Sequence, residues 1–300
     1  MSSQPGADQG SLVGGLLRLA RPKQWSKNVL VFAAPGAAGV LSEGTSLIDS
    51  LVAFVSFCLV ASGTYYLNDA RDVEADRRHP TKRNRPVASG AVPVRTAYAA
   101  GFGLLVAGIA LGLTARWELA VTAAAYAALT TSYSLWLKRV AVIDVAAVAG
   151  GFVLRAIAGA AATNVPISDW FFIVTTFGSL FMVSGKRGAE AAEMGDGVTE
   201  TRAVLSAYTP TFTAHLRSVS SSAVLVAYCL FAFEKADVAA SSVPWYELSI
   251  VPFALGILRY ALVLDQGRGS APEEVVLADR VLQGIGLVFV VLFAAGVYTA

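Results

Sequence analysis

Apolar runs long enough to cross a bilayer recur along nearly the whole chain, separated by short clusters of charge, glycine and proline. A membrane-spanning helix needs about 20 mostly apolar residues. On that criterion the pattern predicts spans near residues 25–41, 49–67, 93–113, 118–136, 141–162, 169–185, 213–233, 245–264 and 281–298. The expected fold class is all-α, a polytopic membrane helical bundle of about nine transmembrane helices. The first span is the weakest. Lys27 and Asn28 interrupt it and Pro35 would kink it, and without it one span fewer remains.

Composition agrees with the pattern. The 300 residues are 55% hydrophobic and only 15% charged, too apolar to surround one soluble core with a wettable surface. The net charge of +2 hides an uneven distribution. With the N-terminus cytoplasmic, that side receives Arg18, Arg21, Lys23, Lys27, the run from Arg71 to Arg85, Arg95, Lys138, Arg139, Lys186, Arg187, Arg202, Arg268 and Arg280, against Arg116 and Lys235 on the other. The positive-inside rule then predicts a multi-pass protein of the plasma (inner) membrane, with its N-terminus and active site cytoplasmic. Residues 1–17 are expected to form a disordered cytoplasmic tail, and since the first eleven are polar with no apolar core, no cleavable signal peptide is expected. Residues 18–300 are expected to form a single transmembrane catalytic domain whose long charged loops, 68–92 and 186–212, carry the function. Cys58 and Cys229 both lie in apolar runs, which argues against a disulfide framework or a cysteine-built zinc site.

The densest chemistry begins where the second span ends, at Asn68-Asp69-Ala70-Arg71-Asp72-Val73-Glu74-Ala75-Asp76. On a continuous helix Asn68, Asp69, Asp72 and Asp76 share one face. Three carboxylates in a stripe repel one another unless a cation sits between them, and hard oxygen ligands suit Mg²⁺, which takes one or two carboxylates plus substrate phosphate. The alternative is a solvated helix end balanced by Arg71, Arg77 and Arg78. The next loop, His79-Pro80-Thr81-Lys82-Arg83-Asn84-Arg85-Pro86, adds Lys82, Arg83 and Arg85. Guanidinium groups bind phosphate oxygens bidentately, so a carboxylate shelf beside this loop forms a coherent diphosphate site. A topogenic or headgroup-binding patch would explain the cations but leave the aspartates unexplained. The solitary His79 is assigned to loop structure.

These residues, with the earlier Arg21-Pro22-Lys23-Gln24-Trp25-Ser26-Lys27-Asn28, resemble the UbiA superfamily of membrane prenyltransferases over roughly residues 18 to 300. The resemblance implies that Asp69, Asp72 and Asp76 bind a diphosphate through Mg²⁺, and that a second Asp-x-x-x-Asp motif follows the sixth helix. The sequence departs there: Lys186 and Arg187 precede Glu190 and Glu193, with Lys186, Glu190 and Glu193 on one helix face. Two cations in place of an aspartate pair suggest a further anionic group to be bound directly. With Arg259-Tyr260 and the stretch from Pro272-Glu273-Glu274-Val275 to Asp279-Arg280, the pattern resembles the decaprenyl-phosphate phosphoribosyltransferase branch. That likeness implies phosphoribosyl diphosphate as donor, a polyprenyl phosphate as acceptor, and a product used for cell-wall arabinan.

Asn68 is then an uncharged ligand or orienting group, and Lys82, Arg83 and Arg85 meet phosphate charge. The acceptor phosphate, with a second pKa of about 6, is already anionic near neutral pH and needs no general base. Lys23 with Lys27, and Gln24 with Asn28, stand four apart and are expected to border the same cavity or to act as topogenic charge. Tyr133 is expected to stack or donate a hydrogen bond, while Lys138 and Arg139 are topogenic. Asp144 and Arg155 lie on one face of the fifth span about 16 Å apart, and Arg155 is expected to be buried in a structural pair. The acceptor chain needs an opening toward membrane lipid, which the sequence does not locate. A homo-oligomer is compatible with such a bundle, and no nucleic-acid partner is expected. The rival functions are a prenyltransferase acting on an aromatic or quinone precursor and a transporter of a phosphorylated solute.

Overall fold

A computed structural model describes residues 11–193, 200–266 and 272–299, whose regular elements are all helical. The chain begins with α1 (Leu12–Ala20), a 3-10 segment (Pro22–Phe32), α2 (Ala33–Ala37) and a 3-10 turn (Val40–Ser42). Next come α3 (Gly44–Arg71), α4 (Val73–Arg78), a 3-10 turn (Lys82–Asn84), α5 (Val94–Ala115), α6 (Trp117–Leu135) and a 3-10 turn (Leu137–Arg139). The remainder is α7 (Ile143–Thr163), α8 (Asp169–Glu193), a 3-10 segment (Glu200–Ala207), α9 (Pro210–Val238), α10 (Trp245–Asp265), α11 (Pro272–Ala278) and α12 (Arg280–Thr299). Six of these, α3, α5, α7, α9, α10 and α12, are long and apolar enough to cross a membrane. Helices α6 and α8 match two further expected spans but carry more polar residues, among them Thr130, Thr131 and Ser132 on α6 and Lys186, Arg187 and Glu190 on α8.

Successive long helices pack side by side from α3 through α5, α6, α7, α8, α9 and α10 to α12, and α3 also leans on α7. Small residues permit the closest of these approaches. A Cβ on Gly63 of α3 would fall 2.8 Å from the Gly101 carbonyl oxygen of α5, and one on Gly108 would fall 2.9 Å from the Ser56 carbonyl oxygen. Ser56 Oγ donates across the same seam to the Gly108 carbonyl at 2.7 Å.

The stretch expected to form the first span, 25–41, is not one helix. It runs as the 3-10 segment, then α2, and breaks again at Gly39, where φ is +76°. Pro22 and Pro35 remove backbone donors there, and non-helical backbone is tolerated at membrane depth when it is buried in protein. The segment lies in a groove of α7: a Cβ on Gly159 would stand 1.7 Å from the Val31 carbonyl oxygen. The fold thus contains eight long helices and one broken segment among the described residues, rather than nine equivalent spans.

The expected tail boundary at residue 17 also falls inside an element. Ser11 accepts a hydrogen bond from the Gly14 N–H at 3.1 Å and caps α1. Leu19 of α1 is fully buried with Tyr66, Val87, Val92 and Ala97, and Tyr66 Oη donates to the Leu16 carbonyl at 2.6 Å. This packing brings the end of α1 against the end of α3, where the aspartates lie. Residues 1–10 lie outside the described residues.

Candidate active site at the charged end of the bundle

Helix α3 ends at Arg71, and Asp72 is the joint between α3 and α4, with φ −87° and ψ 9°. The joint breaks the continuous stripe expected from the sequence. Asp69 and Asp76 turn inward and are 2% and 4% exposed, whereas Asp72 points outward and pairs with Arg71 Nε at 2.9 Å. Arg71 in turn donates to the Ser134 carbonyl at 3.1 Å, fixing the end of α3 to the end of α6. Asn68 is half-buried on the last turn of α3, and its carbonyl accepts from the Asp72 N–H at 2.9 Å.

A cation does separate the inner carboxylates, and it is a guanidinium. Arg85 Nη1 stands 3.1 Å from Asp69 Oδ1 and 2.8 Å from Asp76 Oδ2. Arg21 Nη2 approaches Asp69 Oδ1 at 2.7 Å, and its guanidinium lies 4.6 Å from the centroid of the Tyr65 ring. Arg21 was not among the expected site residues. Its signal in the sequence was indirect: a buried Asp69 demands a partner, and Arg21 is the basic residue at the turn that leads out of α1. The backbone of Arg21 is left-handed, with φ +52°, which aims the side chain back at α3. Lys82 is half-buried and Arg83 exposed on the same loop. His79 serves the loop as expected, accepting at Nδ1 from the Thr81 N–H at 3.3 Å.

Among the described residues no group of three or more His, Cys, Asp or Glu side chains is placed to hold a metal ion. Two carboxylates do converge: one nitrogen, Arg85 Nη1, touches both Asp69 and Asp76. A point that already accommodates a positive atom between two hard oxygen donors fits Mg²⁺, whose remaining positions go to water and substrate phosphate.

The other expected site residues divide. In the 3-10 segment three residues make a turn, so neighbours stand three apart rather than four. Lys27 Nζ accordingly donates to Gln24 Oε1 at 2.6 Å, while Lys23 is exposed. Asn28, expected beside them, faces the protein interior and is fully buried. It accepts from Arg155 Nε at 2.8 Å and donates to Cys58 Sγ at 3.2 Å. Arg155 also donates to the Gly151 carbonyl and to Tyr126 Oη, both at 2.8 Å. It is buried, as expected, but among the described residues no carboxylate lies within ion-pair distance of it.

Arg187, expected to meet a substrate anion, is enclosed by protein. Its Nε lies 2.9 Å from Asp144 Oδ2, an ion pair without hydrogen-bond alignment. Its Nη1 lies 2.5 Å from Glu190 Oε2, and its Nη2 donates to Tyr133 Oη at 2.8 Å. Tyr133 is therefore an acceptor here. Tyr208 Oη donates to Asp144 Oδ1 and accepts from the Val142 N–H at 2.8 Å. Burial pushes the Tyr208 phenol up, reinforced by its bond to Asp144, so the proton stays available for donation. Lys186 remains 38% exposed, 4.0 Å from Glu190 Oε1. The side chains of Glu193, Arg202, Arg268, Glu273 and Glu274 lie outside the described residues. The two charged groups meet through α6: Ser134 receives Arg71, and its neighbour Tyr133 receives Arg187.

A cavity of about 520 Å³ opens among the first segment, α7, α8, α9, α10, α11 and α12. Its walls are almost wholly apolar, including Leu30, Phe181, Phe253, Ile285 and Phe289. Nothing in the apolar pattern distinguished these positions from ordinary core, because the cavity arises where helices diverge.

A carboxylate-guanidinium centre at one end of a membrane helix bundle, with an apolar cavity elsewhere in the same bundle, defines a class of enzyme that handles charged groups attached to lipid chains. The chain belongs to the UbiA prenyltransferase family, whose model matches residues 29–283. It is 44% identical over 96% of its length to the decaprenyl-phosphate phosphoribosyltransferase of Corynebacterium glutamicum, covering 88% of that protein. It is 42% identical to the enzymes of the same name from Mycolicibacterium smegmatis, over 96% of this chain and 94% of that one, and Mycobacterium tuberculosis, over 98% and 97%. The structure resembles that of a UbiA homolog from Archaeoglobus fulgidus bound to GPP and Mg²⁺, with a TM-score of 0.69 and 17% identity over 95% of this chain and 99% of that one.

Proposed function

We propose that this protein transfers the 5-phosphoribosyl group of phosphoribosyl diphosphate to a polyprenyl phosphate at the cytoplasmic face of the plasma membrane, releasing diphosphate. The observation that carries the reading is the near full-length identity of 42–44% to three decaprenyl-phosphate phosphoribosyltransferases. The site supports it chemically. Asp69 and Asp76, with Asp72 turned in, would hold Mg²⁺, which when bound disperses the charge of the departing diphosphate. Arg21, Arg85, Lys82 and Arg83 would take the diphosphate oxygens. Lys186 is the exposed cation of its pair and the better placed to meet a further donor phosphate, while Arg187 positions Glu190 and Tyr133.

The bond from the anomeric carbon to the diphosphate oxygen breaks as a bond forms from the same carbon to an oxygen of the acceptor phosphate. Charge builds on the ring in an oxocarbenium-like state, so stabilising the leaving group is the main task of these side chains. The acceptor phosphate is ionised near neutral pH, and the step needs no general base. In-line displacement inverts the anomeric centre. The apolar cavity would receive part of the polyprenyl chain, and the product is a precursor for cell-wall arabinan.

Purified protein incubated with radiolabelled phosphoribosyl diphosphate, Mg²⁺ and polyprenyl phosphate should place label in the lipid extract. An unlabelled lipid phase, together with transfer from a prenyl diphosphate to an aromatic acceptor, would replace this reading by the prenyltransferase one.

A further inference from the structure

We propose that Arg21 and Arg85 are exchangeable counter-ions that close the Asp69/Asp76 pair to a free divalent cation and release it when metal and diphosphate arrive together. The inference deepens the diphosphate-binding part of the proposed function and rests on it.

The charges in the inner pair balance. Two buried carboxylates, Asp69 and Asp76, face two guanidinium groups, Arg21 and Arg85. The outer carboxylate, Asp72, is matched by Arg71, which is itself anchored on the Ser134 carbonyl. The centre therefore offers little net negative potential to a metal ion alone. A metal entering between Asp69 and Asp76 must displace Arg85 from both, and with no other anion present that leaves an unpaired guanidinium beside a dication.

Diphosphate removes that obstacle, because guanidinium groups can exchange these single-nitrogen contacts to carboxylate oxygens for bidentate contacts to phosphate oxygens. The exposure of the partners shows the direction of the exchange. The carboxylates are 2% and 5% exposed at their side chains, while Arg21 and Arg85 are 32% and 30% exposed. The guanidiniums cover the acids from the solvent side and can swing outward while the acids stay in place. Tyr65 gives Arg21 a face to rest on that does not depend on Asp69. Asp72 completes the oxygen set only by leaving Arg71, which explains why no three-carboxylate group is already assembled among the described residues.

Metal and diphosphate must then strengthen each other's binding by the same factor. The test is calorimetric titration of the full-length protein in detergent with Mn²⁺ alone, inorganic pyrophosphate alone, and Mn²⁺ at saturating pyrophosphate. After correction for the metal-pyrophosphate equilibrium in solution, Mn²⁺ should bind about tenfold or more tightly with pyrophosphate present, within the usual range of coupling between sites. Arg85→Ala should bind Mn²⁺ alone several-fold more tightly than wild type and show a smaller enhancement by pyrophosphate. Arg21→Ala should shift both in the same direction by less, because it releases one carboxylate only.

Equal Mn²⁺ affinity in wild type with and without pyrophosphate would overturn the proposal, and this comparison needs no variant. So would unchanged affinity for Mn²⁺ alone in a folded Arg85→Ala protein. Failure of the two readings is separable. Lipid-linked label without coupled binding would overturn the counter-ion exchange alone, whereas coupled binding without phosphoribosyl transfer would overturn the assignment of the reaction.

Discussion

Asp69 and Asp72 stand three residues apart and respond to different forces. Asp72 is 36% exposed at its side chain and pairs with a neighbouring surface arginine, an arrangement worth about 0–1 kcal/mol. Asp72→Ala should therefore leave the thermal midpoint in detergent nearly unchanged and abolish lipid-linked label; wild-type turnover would remove Asp72 from the site. Arg155 is the opposite case. It holds Asn28 and Tyr126 in the interior, and each buried polar group left without its partner costs about 1–3 kcal/mol. Arg155→Met should lower the thermal midpoint markedly. Arg155→Lys should fail to restore it, since an ammonium lacks the planar fork that reaches all three partners; full restoration would show that charge alone matters there. The aspartates and the Lys82 to Arg85 loop were legible because like charges at helical spacing demand an explanation. The enclosure of Arg187 was not, because Tyr133 lies 54 positions away and another partner, Asp144, is held by Tyr208, which is 64 positions from Asp144. Such pairings become visible only when helices are docked.

At the scale of elements, the sequence supplied the long helices and misjudged the joints. The apolar run from 25 to 41 has the length of a span, but Pro35 and Gly39 divide it, and α7 holds the pieces in place. The contact at Gly159 makes that docking testable. A methyl group there would overlap the Val31 carbonyl, a backbone atom that no rotamer change can move aside. Gly159→Ala should displace the first segment and cost more than the usual ~1–3 kcal/mol of overpacking, seen as a lowered thermal midpoint and as faster cleavage of the segment by added protease. An unchanged midpoint would mean that the segment sits further from α7. The corner between α11 and α12 answers to pH. Asp279 accepts from Arg259 Nη2 at 2.8 Å and from the Leu282 N–H at 2.9 Å, and these bonds hold its carboxyl below the ordinary 3.8. Its folded value is depressed, so the stabilisation is fully present above 3.8 and is lost as pH falls through the folded value. The thermal midpoints of wild type and Asp279→Asn should differ at pH 6 and converge as the pH drops below about 4. A gap that persists at low pH would assign the difference to packing.

For the molecule as a whole, the charged centre and the apolar cavity are separate provinces. In the proposed reaction Arg85 and the aspartates would meet the diphosphate, and the walls contributed by α8, α10 and α12 would receive a lipid chain. The small residues legible in the sequence permit close packing, yet some of them also line the cavity. Gly286 of α12 lines it, and a Cβ built there meets nothing within 4 Å. Gly286→Phe therefore adds a ring to open space and leaves the helix packing intact. The acceptor chain comes from the bilayer, which is as apolar as the cavity, so its gain on entry comes from packing contacts rather than from escape from water. A ring in the cavity removes those contacts by exclusion, and an effect of about tenfold corresponds to only ~1.4 kcal/mol. Gly286→Phe should raise the KM for a long polyprenyl phosphate about that much while leaving pyrophosphate binding and the thermal midpoint near wild type. The same variant assayed with an acceptor of one or two isoprene units should lose much less. An equal loss with short and long acceptors would place the chain outside the cavity, on the lipid-facing surface of the bundle.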